Sequence, residues 1–100
     1  MKIVAAADHG GFEMKNQIVE DLRKQGFAVE DLGTNSADSV DYPDFAEKAT
    51  AKVLAGQADL GILVCGTGIG ISIAANRHKG IRAAILYDDY VAKVAREHNN

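Results

Sequence analysis

One cysteine, Cys65, stands in the whole chain, so no internal disulfide can form and a disulfide-stapled fold is excluded. That agrees with a reducing compartment, the cytoplasm, and leaves the thiol free for other uses. A basic surplus is lacking as well: 11 Lys and Arg face 14 Asp and Glu, for a net charge of −3. With no basic stripe along any segment, neither nucleic acid nor an anionic membrane is expected as the main partner, and any anion must be bound locally. Long apolar runs are missing too. The opening MKIVAAADHGGF has five apolar residues after Lys2 before it meets Asp8 and His9, too few for a secretory leader or a membrane span. Proline occurs once, at Pro43, and no repeat, low-complexity stretch or interdomain linker interrupts the chain.

What is present suits one modest core. Of 100 residues 47% are hydrophobic and 25% charged, a soluble globular composition at single-domain length, so one domain over 1–100 is expected. Residues 2–7 (KIVAAA) read as a buried strand that stops at Asp8-His9-Gly10-Gly11. Over 11–25, Phe12, Ile18, Val19 and Leu22 recur at helical spacing with charges on the other face, and Gly26 is a stop. Residues 27–32 (FAVEDL) read as a second strand, followed by a polar, turn-rich loop. Pro43 opens a helix whose apolar stripe is Phe45, Ala46, Ala49 and Val53, with Gly56 at its end. Residues 59–64 (DLGILV) form a third strand running into Cys65 and GTGIG. The next helix starts inside that loop, carries Ile71, Ile73 and Ala74, and ends near Gly80. Residues 81–86 (IRAAIL) read as a fourth strand, and the segment after it as a helix capped by Asp88 or Asp89, with Val91, Val94 and Ala95 inward. Short apolar strands alternating with amphipathic helices predict an α/β fold: a Rossmann-like three-layer α/β/α sandwich around a parallel sheet of four strands.

Ligands of open α/β sheets bind outside the carboxyl ends of the strands, so the loops there hold the candidates. They are Asp8 to Gly11, Gly33 to Tyr42, Cys65 to Gly70, and Tyr87-Asp88. In the third, Gly66, Gly68 and Gly70 alternate, which allows backbone N–H groups to hold an anion such as a phosphate or an enediolate at a helix N-terminus. The G-x-G-x-G spacing is not the dinucleotide pattern, and no G-K-[ST] follows for a nucleoside triphosphate. The competing reading is that these glycines only make a tight turn. Cys65 bears on the choice, because thiolates are favoured beside helix N–H dipoles and can take protons or attack carbon. A small apolar residue ending a core strand is the alternative for it. His9 and His98 could each carry a proton or bond an anion, or be plain surface histidines; His78, between Arg77 and Lys79, suits a helix end. No pair among these groups has close metal-ligand spacing, so no metal site is expected.

Read together, ADHGGFEMK, DYPDFA at 41–46, ADLGILVCGTGIGISIAANRHKGIRAA at 58–84 and the terminal REHNN resemble the ribose-5-phosphate isomerase B and galactose-6-phosphate isomerase family. The likeness is collinear over essentially the whole chain and most specific from Cys65 to Asn76. It implies a cofactor-free aldose–ketose isomerase acting on a small phosphosugar, ribose 5-phosphate or galactose 6-phosphate, through a cis-enediolate. By that resemblance Cys65 is the base and acid that shuttles the proton. Thr67 and the amides of Gly66, Gly68, Ile69 and Gly70 stabilise the enediolate, and His98 assists ring opening. Asp8, Tyr42 and Asn99 hold hydroxyl groups, and His9 helps to bind the phosphate. Some relatives use a glutamate directly after the last loop glycine as the base; Ile71 stands there, which favours the cysteine version and ribose 5-phosphate. The resemblance also implies homodimers with sites at the subunit interface. Family members continue past HNN into a fifth strand and a helical region whose arginines bind phosphate. Arg77, Arg82 and Arg96 do not match those arginines, so the chain reads as C-terminally shortened, and a non-catalytic phosphosugar-binding module is the alternative.

Overall fold

A computed structural model describes residues 1–99. Strands β1 (Lys2–Ala7), β2 (Ala28–Asp31) and β3 (Leu60–Val64) alternate with helices α1 (Phe12–Lys24), α2 (Tyr42–Leu54) and α3 (Ile69–Asn76), and α4 (Asp89–Asn99) closes the described chain. The sheet is parallel in the order β2-β1-β3, with Ile3 level with Val29 on one side and Leu60 on the other. The central strand is buried on both faces, which is why its five residues after Lys2 carry no polar atom in their side chains.

Two cores flank it, as successive side chains of a strand point to opposite faces. Ile3 and Ala5 pack with Val19 of α1, Val29, Leu22 and Ile62; Val4 and Ala6 pack with Ala49 of α2, Ala58, Phe45, Val53 and Leu63. The expected α/β/α layering follows, with α1 on one face and α2 beside α3 on the other. The alanines of β1 let both helices approach closely. Pro43 lies in the first turn of α2, where its missing N–H leaves no bond unmade. No described helix is long and apolar enough to cross a membrane.

Two expectations need correction. The fourth strand at 81–86 is not formed, so the sheet has three strands among the described residues. Within this segment the Ala83 N–H donates to Oδ1 of Asn76 at 2.8 Å and its carbonyl accepts from Nδ2 of Asn76 at 2.9 Å, which ties the segment to the end of α3. Those backbone groups are occupied by a side chain rather than by β3, whose outer edge stays open and whose Leu60 is 38% exposed. The second concerns α1, whose charges were expected on one solvent face. Lys15 is instead fully buried, in the same stripe as Phe12, Val19 and Leu22.

Candidate active site

The carboxyl ends of β1 and β3 bring two loops together. The Asp8 amide donates to the Val64 carbonyl at 3.2 Å, extending the ladder by one bond, and the Gly11 amide returns to the Asp8 carbonyl at 3.1 Å. Oδ1 of Asp8 accepts the Gly10 amide at 2.9 Å, which shapes the turn and holds the carboxylate in place. Gly11 must lack a side chain, since a Cβ there would stand 2.5 Å from the Val64 carbonyl oxygen. Gly10 approaches the other loop in the same way, with a Cβ position 3.3 Å from the Gly66 nitrogen. Asp8 and the Cys65 loop are therefore neighbours, as the strand-end argument requires.

In the glycine loop, Gly68 adopts φ +81°, a left-handed conformation that turns the chain into α3. Its amide donates to Sγ of Cys65 at 3.0 Å, and the Ile69 amide donates to Oγ1 of Thr67 at 3.1 Å. Two of the amides expected to face a ligand are thus used within the loop, one of them on the sulfur itself. The amides of Gly66 and Thr67 make no hydrogen bond among the described residues. Cys65 is half-buried and Thr67 exposed, so the sulfur is not sealed among aliphatic side chains. Ile71 is buried at 1% exposure and serves the core, where a carboxylate would have no water.

Tyr42, the first residue of α2, lies against Gly70: a Cβ at 70 would be 2.8 Å from Cζ of the ring. His9 is exposed, and its Nδ1 accepts the Val40 amide at 3.2 Å, so the neutral ring carries its proton on Nε2. Asp8, His9, Tyr42 and residues 65–70 thus lie on the carboxyl edge of the sheet. His98 and Asn99 belong to another element. They sit at the end of α4, which packs on no other element among the described residues and has no buried residue. Its end is tied to the chain by Arg82, whose guanidinium donates to the Asn99 carbonyl. Its start is capped by Asp88, whose Oδ1 accepts the Val91 amide at 2.7 Å.

Because segment 80–87 stands away from β3, a cavity of about 710 Å³ opens between them, floored by Ile71 and Ala75 of α3. Most of its wall is apolar, and Cys65 to Gly68 form part of its lining, with Thr50, Asp59, Ser72 and Arg82 as other polar members. Neither His98 nor Asn99 lines it. Among the described residues no three of His, Cys, Asp and Glu gather in a way that could hold a metal ion.

Sequence reasoning missed one polar group near this edge, the buried Lys15. Its Nζ donates to Oδ1 and Oδ2 of Asp31, both at 2.7 Å, and to Oδ1 of Asn35 at 2.8 Å. The signal was available: positions 12, 15, 19 and 22 share one helical stripe, and a lysine among them must find a partner inside.

The geometry has close relatives. Residues 3–100 match the Ribose/Galactose Isomerase family. Ribose-5-phosphate isomerase B of Escherichia coli is 46% identical over 99 residues, covering 99% of this chain and 66% of the relative. The structure of Clostridium thermocellum ribose-5-phosphate isomerase B superposes with a TM-score of 0.96 at 52% identity, over 99% of this chain and 67% of that one. The type B ribose 5-phosphate isomerase of Trypanosoma brucei gives 0.91 at 49% identity, over 98% of this chain and 67% of that one. The chain thus spans about two thirds of the length of these relatives. Similarity of this depth across both cores and the Cys65 loop settles the assignment: the chain belongs to the ribose/galactose isomerase family of sugar-phosphate isomerases.

Proposed function

We propose that this chain carries the proton-transfer site of an aldose–ketose isomerase that interconverts ribose 5-phosphate and ribulose 5-phosphate. The observation that carries the reading is the Cys65 sulfur, 3.0 Å from the Gly68 amide at the head of α3, with the Gly66 and Thr67 amides, unbonded among the described residues, beside it and Asp8 on the adjoining loop. In the reaction Cys65 removes the proton from C2 of the open-chain aldose, and the C–H electron pair forms the C1–C2 double bond of a cis-enediol(ate). The hydroxyl proton passes from O2 to O1, and as the same sulfur returns its proton to C1 the double-bond electrons form the new C1–H bond and the C2 carbonyl of the ketose closes. Loop amides and Thr67 stabilise the oxygen on which charge develops, a role worth about 3–4 kcal/mol per donor in well-formed oxyanion sites. Asp8, Tyr42 and Asn99 hold hydroxyl groups, His9 donates from Nε2 to the phosphate, and His98 assists ring opening. No cofactor enters the scheme.

A homodimer with sites at the subunit interface, in the cytoplasm, completes the reading. The single cysteine supports the compartment, and the half-buried Val91, Val94 and Ala95, on a helix that packs on no other element among the described residues, support assembly. A second reading, a phosphosugar-binding module without turnover, is favoured by the same helix, because His98 and Asn99 do not line the cavity that Cys65 lines.

One experiment separates the two. In deuterated water, loss of the C2 proton of ribose 5-phosphate is followed by NMR with this chain and with Cys65→Ala, and galactose 6-phosphate is run alongside. Exchange by the unmodified chain that falls about 10²- to 10⁴-fold in Cys65→Ala supports the isomerase, that being the usual weight of a positioned acid–base group. Binding without exchange supports the module.

A further inference from the structure

We infer that Lys15 is a positioning residue for the active-site edge, acting through Asp31 and the turn at Gly33 on the chain at Ala7 and Asp8. The inference deepens the isomerase reading and, for its activity arm, rests on it. A fully buried lysine must be compensated, and here three bonds fix Nζ between the end of β2 and Asn35. Asp31 is used twice. While both its oxygens bind Lys15, Oδ1 also accepts the Gly33 amide at 2.9 Å. Gly33 adopts φ +95°, a conformation open to glycine, and its carbonyl accepts the Ala7 amide at 2.8 Å. The next residue closes the clamp, since the Thr34 amide donates to the Ala7 carbonyl at 2.9 Å.

Ala7 is thereby gripped on both its backbone groups by a turn that β2 alone would not hold, because the β1–β2 register runs only from Lys2–Ala28 to Ala5–Asp31. The following residue is Asp8, whose own amide is bonded to β3. Lys15 is therefore joined to Ala7 through three successive hydrogen bonds, by way of Asp31 and Gly33, and Ala7 precedes the carboxylate that holds the substrate in the proposed site; Lys15 touches no substrate itself. Burial matters to the role. Charge-assisted bonds away from water are short and directional, so they fix the turn more tightly than an exposed pair would.

The test compares Lys15→Met with Lys15→Met/Asp31→Leu. The single variant leaves a carboxylate without its partner, whereas the double variant replaces the pair by apolar side chains and regains most of the lost thermal stability. Both lack the clamp. Amide hydrogen exchange at Ala7 and Thr34 and the kcat for ribose 5-phosphate are measured in each. A positioning role predicts at least tenfold faster exchange at both amides in the double variant despite its recovered melting temperature. It also predicts a kcat roughly 10- to 100-fold below that of the unmodified chain, the scale of a small misplacement in an active site. Wild-type exchange and wild-type kcat in the stable double variant would overturn it, leaving Lys15 a stabilising residue only. If the unmodified chain shows no turnover, the isomerase reading fails separately and the exchange data alone decide the clamp. Should the double variant not fold, Asn35→Ala at its exposed position decides: faster exchange at Thr34 supports the clamp and unchanged exchange there overturns it.

Discussion

The ring of Tyr42 lies over Gly70 so closely that a methyl group at position 70 would stand 2.8 Å from its Cζ. Two elements distant in sequence, the start of α2 and the first turn of α3, are thereby joined at the substrate edge. Gly70→Ala is expected to push the tyrosine aside. Because Tyr42 is 41% exposed it can swing into water, so stability falls by only about 1 kcal/mol or less while the KM for ribose 5-phosphate rises several-fold. Denaturant melts with initial-rate kinetics check both, and a matching rise in KM for Tyr42→Ala identifies the displaced ring as the cause.

Gly11→Ala has the opposite profile. The added Cβ would meet the Val64 carbonyl at 2.5 Å and Cγ1 of Val64 at 2.8 Å, and a backbone wall cannot rotate away. The loop after β1 and the end of β3 must separate, at a cost of about 1–3 kcal/mol or more. Thermal or urea unfolding measures the loss; a change below about 0.5 kcal/mol, typical of open surface sites, would contradict the close approach of these loops.

Cys65→Ala separates chemistry from folding. Cys65 is half-buried and its sulfur accepts a hydrogen bond from the Gly68 amide, so its removal costs about 1 kcal/mol of stability. Circular dichroism should be unchanged, with ligand affinity for a phosphosugar largely kept and C2 proton exchange lost.

Lys15→Met by itself removes one partner of a buried pair, which typically costs 3–5 kcal/mol. Asp31 keeps 21% of its side-chain surface in water and can be partly resolvated, so a loss near the lower end, about 3 kcal/mol, is expected in urea unfolding. A loss below about 1 kcal/mol would mean that the pair behaves like a surface salt bridge.

Asn76→Ala should release segment 81–86. Its side chain supplies both bonds to the Ala83 backbone, and no strand pairing holds that segment in place. Amide exchange at Ala83 is expected to rise about tenfold, corresponding to about 1.4 kcal/mol, while exchange in β1 is unaffected.

Much of this molecule was legible in its residues for reasons that are local. KIVAAA has no polar side chain after Lys2 and ends on Asp-His-Gly-Gly, so a buried central strand feeding a loop was readable before any coordinates. The alternation of apolar strand and amphipathic helix likewise prescribed a parallel sheet with covered faces, and the Cys65 glycine loop was readable as a strand-to-helix turn at the carboxyl edge. Where the periodicity carried a partner's identity within one helix, as in Ala46 and Ala49, the structure agrees.

What the chain alone determined was the set of surfaces that must leave water and the residue types offered at the ends of the strands, since both depend on hydrophobicity and spacing. Tertiary structure decided which offers were taken: Asn76 rather than β3 bonded Ala83, Asp31 enclosed Lys15, and the turn at Gly33 and Thr34 took both backbone groups of Ala7. Those choices are pairings between residues far apart in sequence, and a hydrogen bond is won by whichever partner the folded backbone places within reach.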